Sequence, residues 1–195
     1  MHKIAFATNN TNKLKEVQQI LGNKYAIIGL TELGFTGDIP ETGLTLRENA
    51  SIKSRFVNEK FGEDCFSDDT GLEIEALDGR PGVYSARYAG EPGDADKNID
   101  KVLDELKNKQ NKNARFRTVI SLVIGNEEHF FEGEVRGRII DERRGKGGFG
   151  YDPVFIPEGY ETTFAEMDIK EKNNISHRSK AVRQLIEFLT NYNPS

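Results

Sequence analysis

Apolar residues along this chain keep two rhythms, and together they outline an alternation of strands and helices. Residues 4–7, Ile-Ala-Phe-Ala, form a short continuous run of the kind a buried strand makes. The run stops at Thr8-Asn9-Asn10, residues that favour turns and helix caps. Leu14, Val17, Ile20 and Leu21 then repeat at helical spacing, with Gly22 as the stop signal. A second strand is predicted over residues 25–30, followed by a long loop over 31–43. Thr45-Leu46-Arg47-Glu48 is a capping box, so a helix should open there and run to about Phe61. Residues 65–68 and 72–77 read as strands interrupted at Asp69-Thr70-Gly71, and residues 79–93 as a glycine-rich loop carrying Tyr84, Arg87 and Tyr88. Ile99, Val102, Leu103 and Leu106 mark a further helix. Residues 115–124 and 129–140 alternate as strands around Gly125-Asn126, a hairpin signal. A glycine-rich segment over 145–150 leads into Tyr151-Asp152-Pro153. Ser176 caps a last helix carrying Val182, Leu185, Ile186 and Leu189. Helices alternate with strands early and a hairpin comes late, which predicts an α/β fold with a mixed sheet.

Composition narrows this picture modestly. A chain of 195 residues suits one domain spanning residues 1–195. With 36% hydrophobic and 30% charged residues it is neither a disordered nor a repeat sequence. A formal net charge of −5 gives no overall attraction for nucleic acid, so any phosphate site must be a local cluster. Cys65 is the only cysteine, which rules out an intrachain disulfide and reads as a small buried hydrophobe. Residues 4–7 are too short for a signal-peptide core, and no apolar run approaches membrane-spanning length. The expectation is a soluble, cytoplasmic protein without nucleic-acid or membrane partners.

Five groups of residues carry candidate chemistry. Thr8-Asn9-Asn10 with Lys13 follows a strand and opens a helix, an arrangement that offers backbone N–H groups and a lysine to an anion. A capped surface helix with a solvated lysine explains the same residues equally well. Asn49 and Lys53 lie four apart and share a helix face, with Glu41 in the loop before them. Asp68-Asp69 are adjacent carboxylates, which repel one another unless a cation intervenes. A hard ion such as Mg²⁺ would suit them, and an acidic turn is the plain alternative. No His/Cys ligand cluster points to zinc. In the segment from Gly145 to Pro153, Lys146 precedes Gly147 rather than Ser or Thr, so it is not a Walker A loop. It meets the minimal GxxG of a KH loop but follows a strand instead of joining two helices. Phe149 or Tyr151 could stack on a base, and Asp152 could accept from a ring N–H. Finally, His177 and Arg178 stand after Ser176 in the first turn of a helix, where cations oppose the helix dipole.

Taken together and in order, TNNxxK, ETGxTxxENAxxK, SDDTGL, GVYSARYAG, GFGYDPVF and EKNxISHR resemble the inosine triphosphate pyrophosphatase family over about residues 3–189. The departures are mild: Thr70 stands where serine is frequent, Leu46 where phenylalanine is common and Ser54 where alanine is common. The resemblance implies an elongated mixed β-sheet with flanking helices, two lobes around a deep central cleft, and a homodimer. It implies Mg²⁺-dependent hydrolysis of deaminated purine nucleoside triphosphates (ITP, dITP, XTP) to the monophosphate and pyrophosphate. By the same resemblance Thr8, Asn9, Asn10, Lys13 and Lys53 hold the triphosphate, and Thr11, Asn12 and Thr70 also bind substrate. Glu41 and Asp69, with Asp68 beside them, hold the metal, and Asp69 is the general base. Phe149 stacks on the purine, Asp152, Lys172, His177 and Arg178 read its edge, and Gly150 and Tyr151 also bind substrate. Two alternatives remain open at this level: a broader nucleotide pyrophosphatase that also takes pyrimidine triphosphates, and a nucleotide- or RNA-binding module built on the glycine loop.

Overall fold

A computed structural model describes residues 2–22 and 25–192; the ends of the expected domain, residue 1 and residues 193–195, lie outside the described residues. The strands are β1 (His2–Phe6), β2 (Tyr25–Gly29), β3 (Cys65–Ile74), β4 (Pro81–Gly82), β5 (Asn113–Ile124), β6 (Glu127–Ile139) and β7 (Phe155–Pro157). The α-helices are α1 (Thr11–Leu21), α2 (Leu46–Phe61), α3 (Ala95–Leu106), α4 (Ile169–Ile175) and α5 (His177–Asn191). Hydrogen-bonded neighbours in the sheet follow the order β2-β1-β3-β5-β6-β7, with β4 on β3. β1 runs parallel to both β2 and β3, while β4 on β3 and β7 on β6 are antiparallel. This is the mixed α/β sheet that the hydrophobic rhythm predicts.

Contacts group the chain into two compact units: one of residues 1–69, 118–133 and 178–195, the other of residues 70–117 and 134–177. In the first, strand alternation decides which side chain meets which helix. Ile4 and Phe6 of β1 join Phe66, Ile120 and Leu122 against Val17 and Leu21 of α1 and Ala181, Val182 and Leu185 of α5. Ala5, Ala7 and Cys65 point the other way, onto Val57 of α2 and Leu30. A period of two along each strand thus builds two apolar layers on opposite sheet faces. The Phe6 and Phe66 rings stack with centroids 4.4 Å apart. In the second unit Ile99, Val102 and Leu106 of α3 pack with Leu72, Ile74, Phe116, Phe155 and Phe164. Among the described residues no helix is long and apolar enough to cross a membrane.

Helix ends follow their local signals. Asn10 caps α1 and Gly22 ends it, while Thr45 and Glu48 form the complete capping box of α2. Three features depart from expectation. The interruption expected at Asp69-Thr70-Gly71 does not occur, since β3 is one strand from Cys65 to Ile74, and only residues 75–77 turn away, as a 3₁₀ turn. Asp and Gly disfavour strands, but Leu72 and Glu73 pair with Gly82 and Pro81 of β4, and this pairing overrides propensity. The short strand β7 and the seven-residue helix α4 carry too few periodic residues for the pattern to announce them.

Candidate active site

The first cluster forms where the C-terminal end of β1, the start of α1, the loop before α2 and the middle of β3 supply polar side chains within the first unit. Thr8 Oγ1 accepts from the Asn10 N–H at 3.1 Å, and Asn10 Oδ1 accepts from the N–H groups of Asn12 at 3.0 Å and Lys13 at 3.2 Å. The N–H groups expected to stand open for an anion are therefore capped from within, and a phosphate would have to displace Asn10. Asn9 Nδ2 donates to Gly37 O at 3.0 Å and Asp38 Oδ1 at 3.1 Å, tying α1 to the loop that carries Glu41. Thr11 and Asn12 are exposed on the first turn.

Asp68 and Asp69, adjacent in β3 and both buried, meet different surroundings. Asp68 Oδ1 accepts from Lys13 Nζ at 2.9 Å and its Oδ2 from Arg178 Nε at 3.1 Å. Arg178 in turn pairs with Glu16 of α1, and its side chain is only 2% exposed. Asp69 Oδ1 lies 3.6 Å from Lys53 Nζ, which also binds the Glu41 carboxylate. Asp69 Oδ2 is buried with no hydrogen-bond partner.

Electrostatics separates the two carboxylates further. Burial alone would raise the Asp68 pKa, but Lys13, Arg178 and Lys53 overcome it and hold the group well below the ordinary carboxylate range. For Asp69 burial prevails: its pKa is raised, with Glu41 adding to the effect and Lys53 and Lys13 opposing it. Burial lowers the pKa of Lys13, Asp68 opposing and Lys53 and Arg178 assisting. Lys53 also suffers burial, yet Asp69, Glu41 and Asp68 outweigh it and its pKa is raised. Two neighbouring carboxylates pushed in opposite directions are the arrangement by which sites divide fixed-charge and proton-accepting roles.

The second unit holds the other cluster. Asp152 Oδ2 accepts from Lys172 Nζ at 2.7 Å and from the Phe149 N–H at 2.8 Å. Gly148 has φ +70°, and a Cβ there would stand 2.1 Å from Asp152 Oδ2, so only glycine lets the loop close onto this carboxylate. Lys172 Nζ sits 4.8 Å from the centroid of the Phe149 ring. Phe149 and Gly150 are half-buried, whereas Tyr151 is a core residue whose hydroxyl donates to Ser85 O at 2.8 Å. Of the two aromatic rings proposed for stacking, burial leaves Phe149. His177 is buried too, its ring stacked on Phe116 with centroids 4.8 Å apart. Thr70 follows Asp69 in β3 and is half-buried.

Comparison with known proteins gives this constellation a family. A sequence profile of the Ham1 family matches residues 4–188. The chain belongs to the Ham1 family. A relative from Porphyromonas gingivalis, named dITP/XTP pyrophosphatase, is 56% identical over 190 residues, covering 97% of this chain and 98% of its own. One from Bacillus subtilis with the same name is 47% identical over 97% of this chain and 98% of its own. Among solved structures, a Ham1 protein from Coxiella burnetii superposes with a TM-score of 0.90 at 40% identity, covering 98% of this chain and all of that one.

Against this Ham1 background, Glu16 is the buried site residue that the sequence pattern did not single out. It sits beside Val17 on α1, 5% exposed, three residues after Lys13 and so on the same side of the helix. That i,i+3 relation of a lysine and a glutamate bordering an apolar stripe was the available signal. The dipole mismatch posed by Arg178 at the start of α5 is answered by Glu16 and Asp68. A divalent ion fits Glu41 and Asp69: both are oxygen donors sharing Lys53, and Asp69 keeps a buried unpartnered oxygen. Asp68 offers less, because both of its oxygens face cations. Among the described residues no group of three or more His, Cys, Asp or Glu side chains gathers as a self-sufficient metal cage. Two carboxylates completed by substrate phosphates and water is the usual Mg²⁺ pattern.

Proposed function

We propose that this chain hydrolyses deaminated purine nucleoside triphosphates, ITP, dITP and XTP, to the monophosphate and pyrophosphate, with Mg²⁺ held by Glu41 and Asp69. The observation that carries the reading is the division of labour at Asp68-Asp69, one carboxylate fixed between Lys13 and Arg178, the other with a buried oxygen left open. The names of the relatives, dITP/XTP pyrophosphatase, point to the same substrates.

In this reading Lys13 and Lys53 hold the triphosphate and absorb charge that develops on the phosphate oxygens. The cluster itself sets three cations, Lys13, Lys53 and Arg178, against four carboxylates, Glu16, Glu41, Asp68 and Asp69, so it has no surplus charge for a polyanion. Bound by Glu41 and Asp69, Mg²⁺ would supply that charge and polarise the phosphate oxygens. Asp69 takes a proton from water as the water oxygen bonds to the α-phosphorus; the bond from that phosphorus to the bridging oxygen breaks, and pyrophosphate leaves. Asp68, ionised and immobile, keeps Lys13 aimed.

Selectivity against adenine follows from the pairing of Asp152 with Lys172. Hypoxanthine and xanthine present a ring N–H next to an oxygen at position six, which match a carboxylate acceptor beside an ammonium donor. Adenine presents the inverse, an acceptor nitrogen next to an amino donor, and a mismatched buried polar pair can cost up to about 10⁴-fold. Phe149 stacks on the ring. The same reading carries homodimerisation and action in the cytoplasm. The test is pyrophosphate release from ITP, dITP, XTP, GTP, ATP and dTTP with Mg²⁺ and after chelation. Turnover confined to the deaminated purines and abolished by EDTA is expected. Equal turnover of ATP or dTTP, or activity that survives exhaustive chelation, would overturn the proposal.

A further inference from the structure

Glu41 poses a positioning problem. It projects from an irregular loop, half-buried, and a ligand carboxylate is useful only if held to within about half an ångström of its working place. Its contact with Lys53 cannot be the whole answer, because on the proposed reading that ammonium is shared with substrate phosphate. A second tie comes from Asn49, one helical turn before Lys53 on the same face of α2 and fully buried. Asn49 Oδ1 accepts from the Gly43 N–H at 2.8 Å, two residues beyond Glu41. Contact is close enough that a Cβ on Gly43 would stand 2.8 Å from Asn49 Oδ1 and 2.6 Å from Glu48 Cβ. The Gly43 N–H fixes which way the amide is turned, and so directs Nδ2 away from the loop. That nitrogen is buried with no hydrogen-bond partner, as is Asp69 Oδ2. One rigid helical side chain therefore holds the backbone that carries Glu41, from the same face of α2 whose Lys53 reaches both Glu41 and Asp69.

We infer that Asn49 is a positioning residue for the metal site, setting the Glu41 loop at its working distance from Asp69. The inference rests on the reading of Glu41 and Asp69 as metal ligands. Supporting residues of this kind typically contribute 10- to 100-fold in metal affinity.

The test is Mn²⁺ binding to the nucleotide-free protein, followed by electron paramagnetic resonance of the unbound ion, on Asn49→Ala, Gly43→Ala, their double variant and Glu41→Gln. Each of the first two should weaken Mn²⁺ binding about tenfold or more, and the double variant hardly further, since both cut one tie. Excess Mg²⁺ should restore turnover in Asn49→Ala, with the KM for nucleotide nearly unchanged at saturating metal, a split that general loosening of the fold would not give. Parent-like Mn²⁺ affinity in a folded Asn49→Ala alongside lost affinity in Glu41→Gln overturns the role of Asn49 alone. If Asn49→Ala does not fold, parent-like affinity in Gly43→Ala does the same. Parent-like affinity in Glu41→Gln overturns the metal-site reading itself.

Discussion

Arg178 can be given two jobs, and one substitution separates them. The family resemblance makes it a reader of the purine edge. In the structure its Nε and NH1 groups go to Asp68 and Glu16, both nearly inaccessible to solvent. Arg178→Ala would take the guanidinium away from two buried carboxylates, Glu16 and Asp68, and would leave Asp68 with Lys13, whose own charge burial already disfavours. Removing one member of a buried ion pair costs about 3–5 kcal/mol, because the surviving charge stays desolvated. For a chain of this size each kcal/mol shifts Tm by about 2–4 °C, so the variant should melt roughly 6–20 °C lower. Glu16→Gln should melt less far below the parent, since Arg178 keeps Asp68. The Glu16→Gln/Arg178→Ala pair should fall short of additivity by about 0.5–3 kcal/mol. Calorimetry on the four proteins, with kcat/KM for ITP and ATP, is the assay. Loss of the anchor disturbs Asp68 and Lys13, on the phosphate side, so both nucleotides should lose rate by a similar factor. A Tm within about 2 °C of the parent, with the ITP-to-ATP ratio collapsing, would refute the anchoring argument and restore Arg178 as a base reader.

Two further outcomes follow from the site. Asp69→Asn keeps the shape but removes both the proton acceptor and a metal ligand, so turnover should fall by roughly 10²–10⁴-fold; near-parent turnover at saturating Mg²⁺ would exclude it from the chemistry. Lys172→Met removes the ammonium that Asp152 and the Phe149 face share, so kcat/KM for ITP should fall at least about tenfold while that for ATP changes little; an equal fall for both would place Lys172 on the phosphates.

What the sequence by itself determined is what short-range chemistry writes. The caps at Asn10 and Thr45, the stop at Gly22 and the alternation of Ile4 and Phe6 with Ala5 and Ala7 all depend on neighbours within a few residues. The ordered motifs likewise carried the family, which the relatives bear out. Tertiary structure decided the rest, because the deciding partners lie far apart along the chain. Asp68 meets Lys13 across 55 positions and Arg178 across 110, and Glu16 meets Arg178 across 162. No local pattern distinguishes a glutamate that a distant arginine will bury from one that stays in water. Adjacent in sequence, Asp68 and Asp69 looked interchangeable. The alternation of a strand sends their side chains to opposite sides, so one meets the cations of α1 and α5 and the other the lysine of α2. Choosing Phe149 over Tyr151 needed burial in the same way, since the Tyr151 hydroxyl finds its acceptor only once Ser85 has been folded against it.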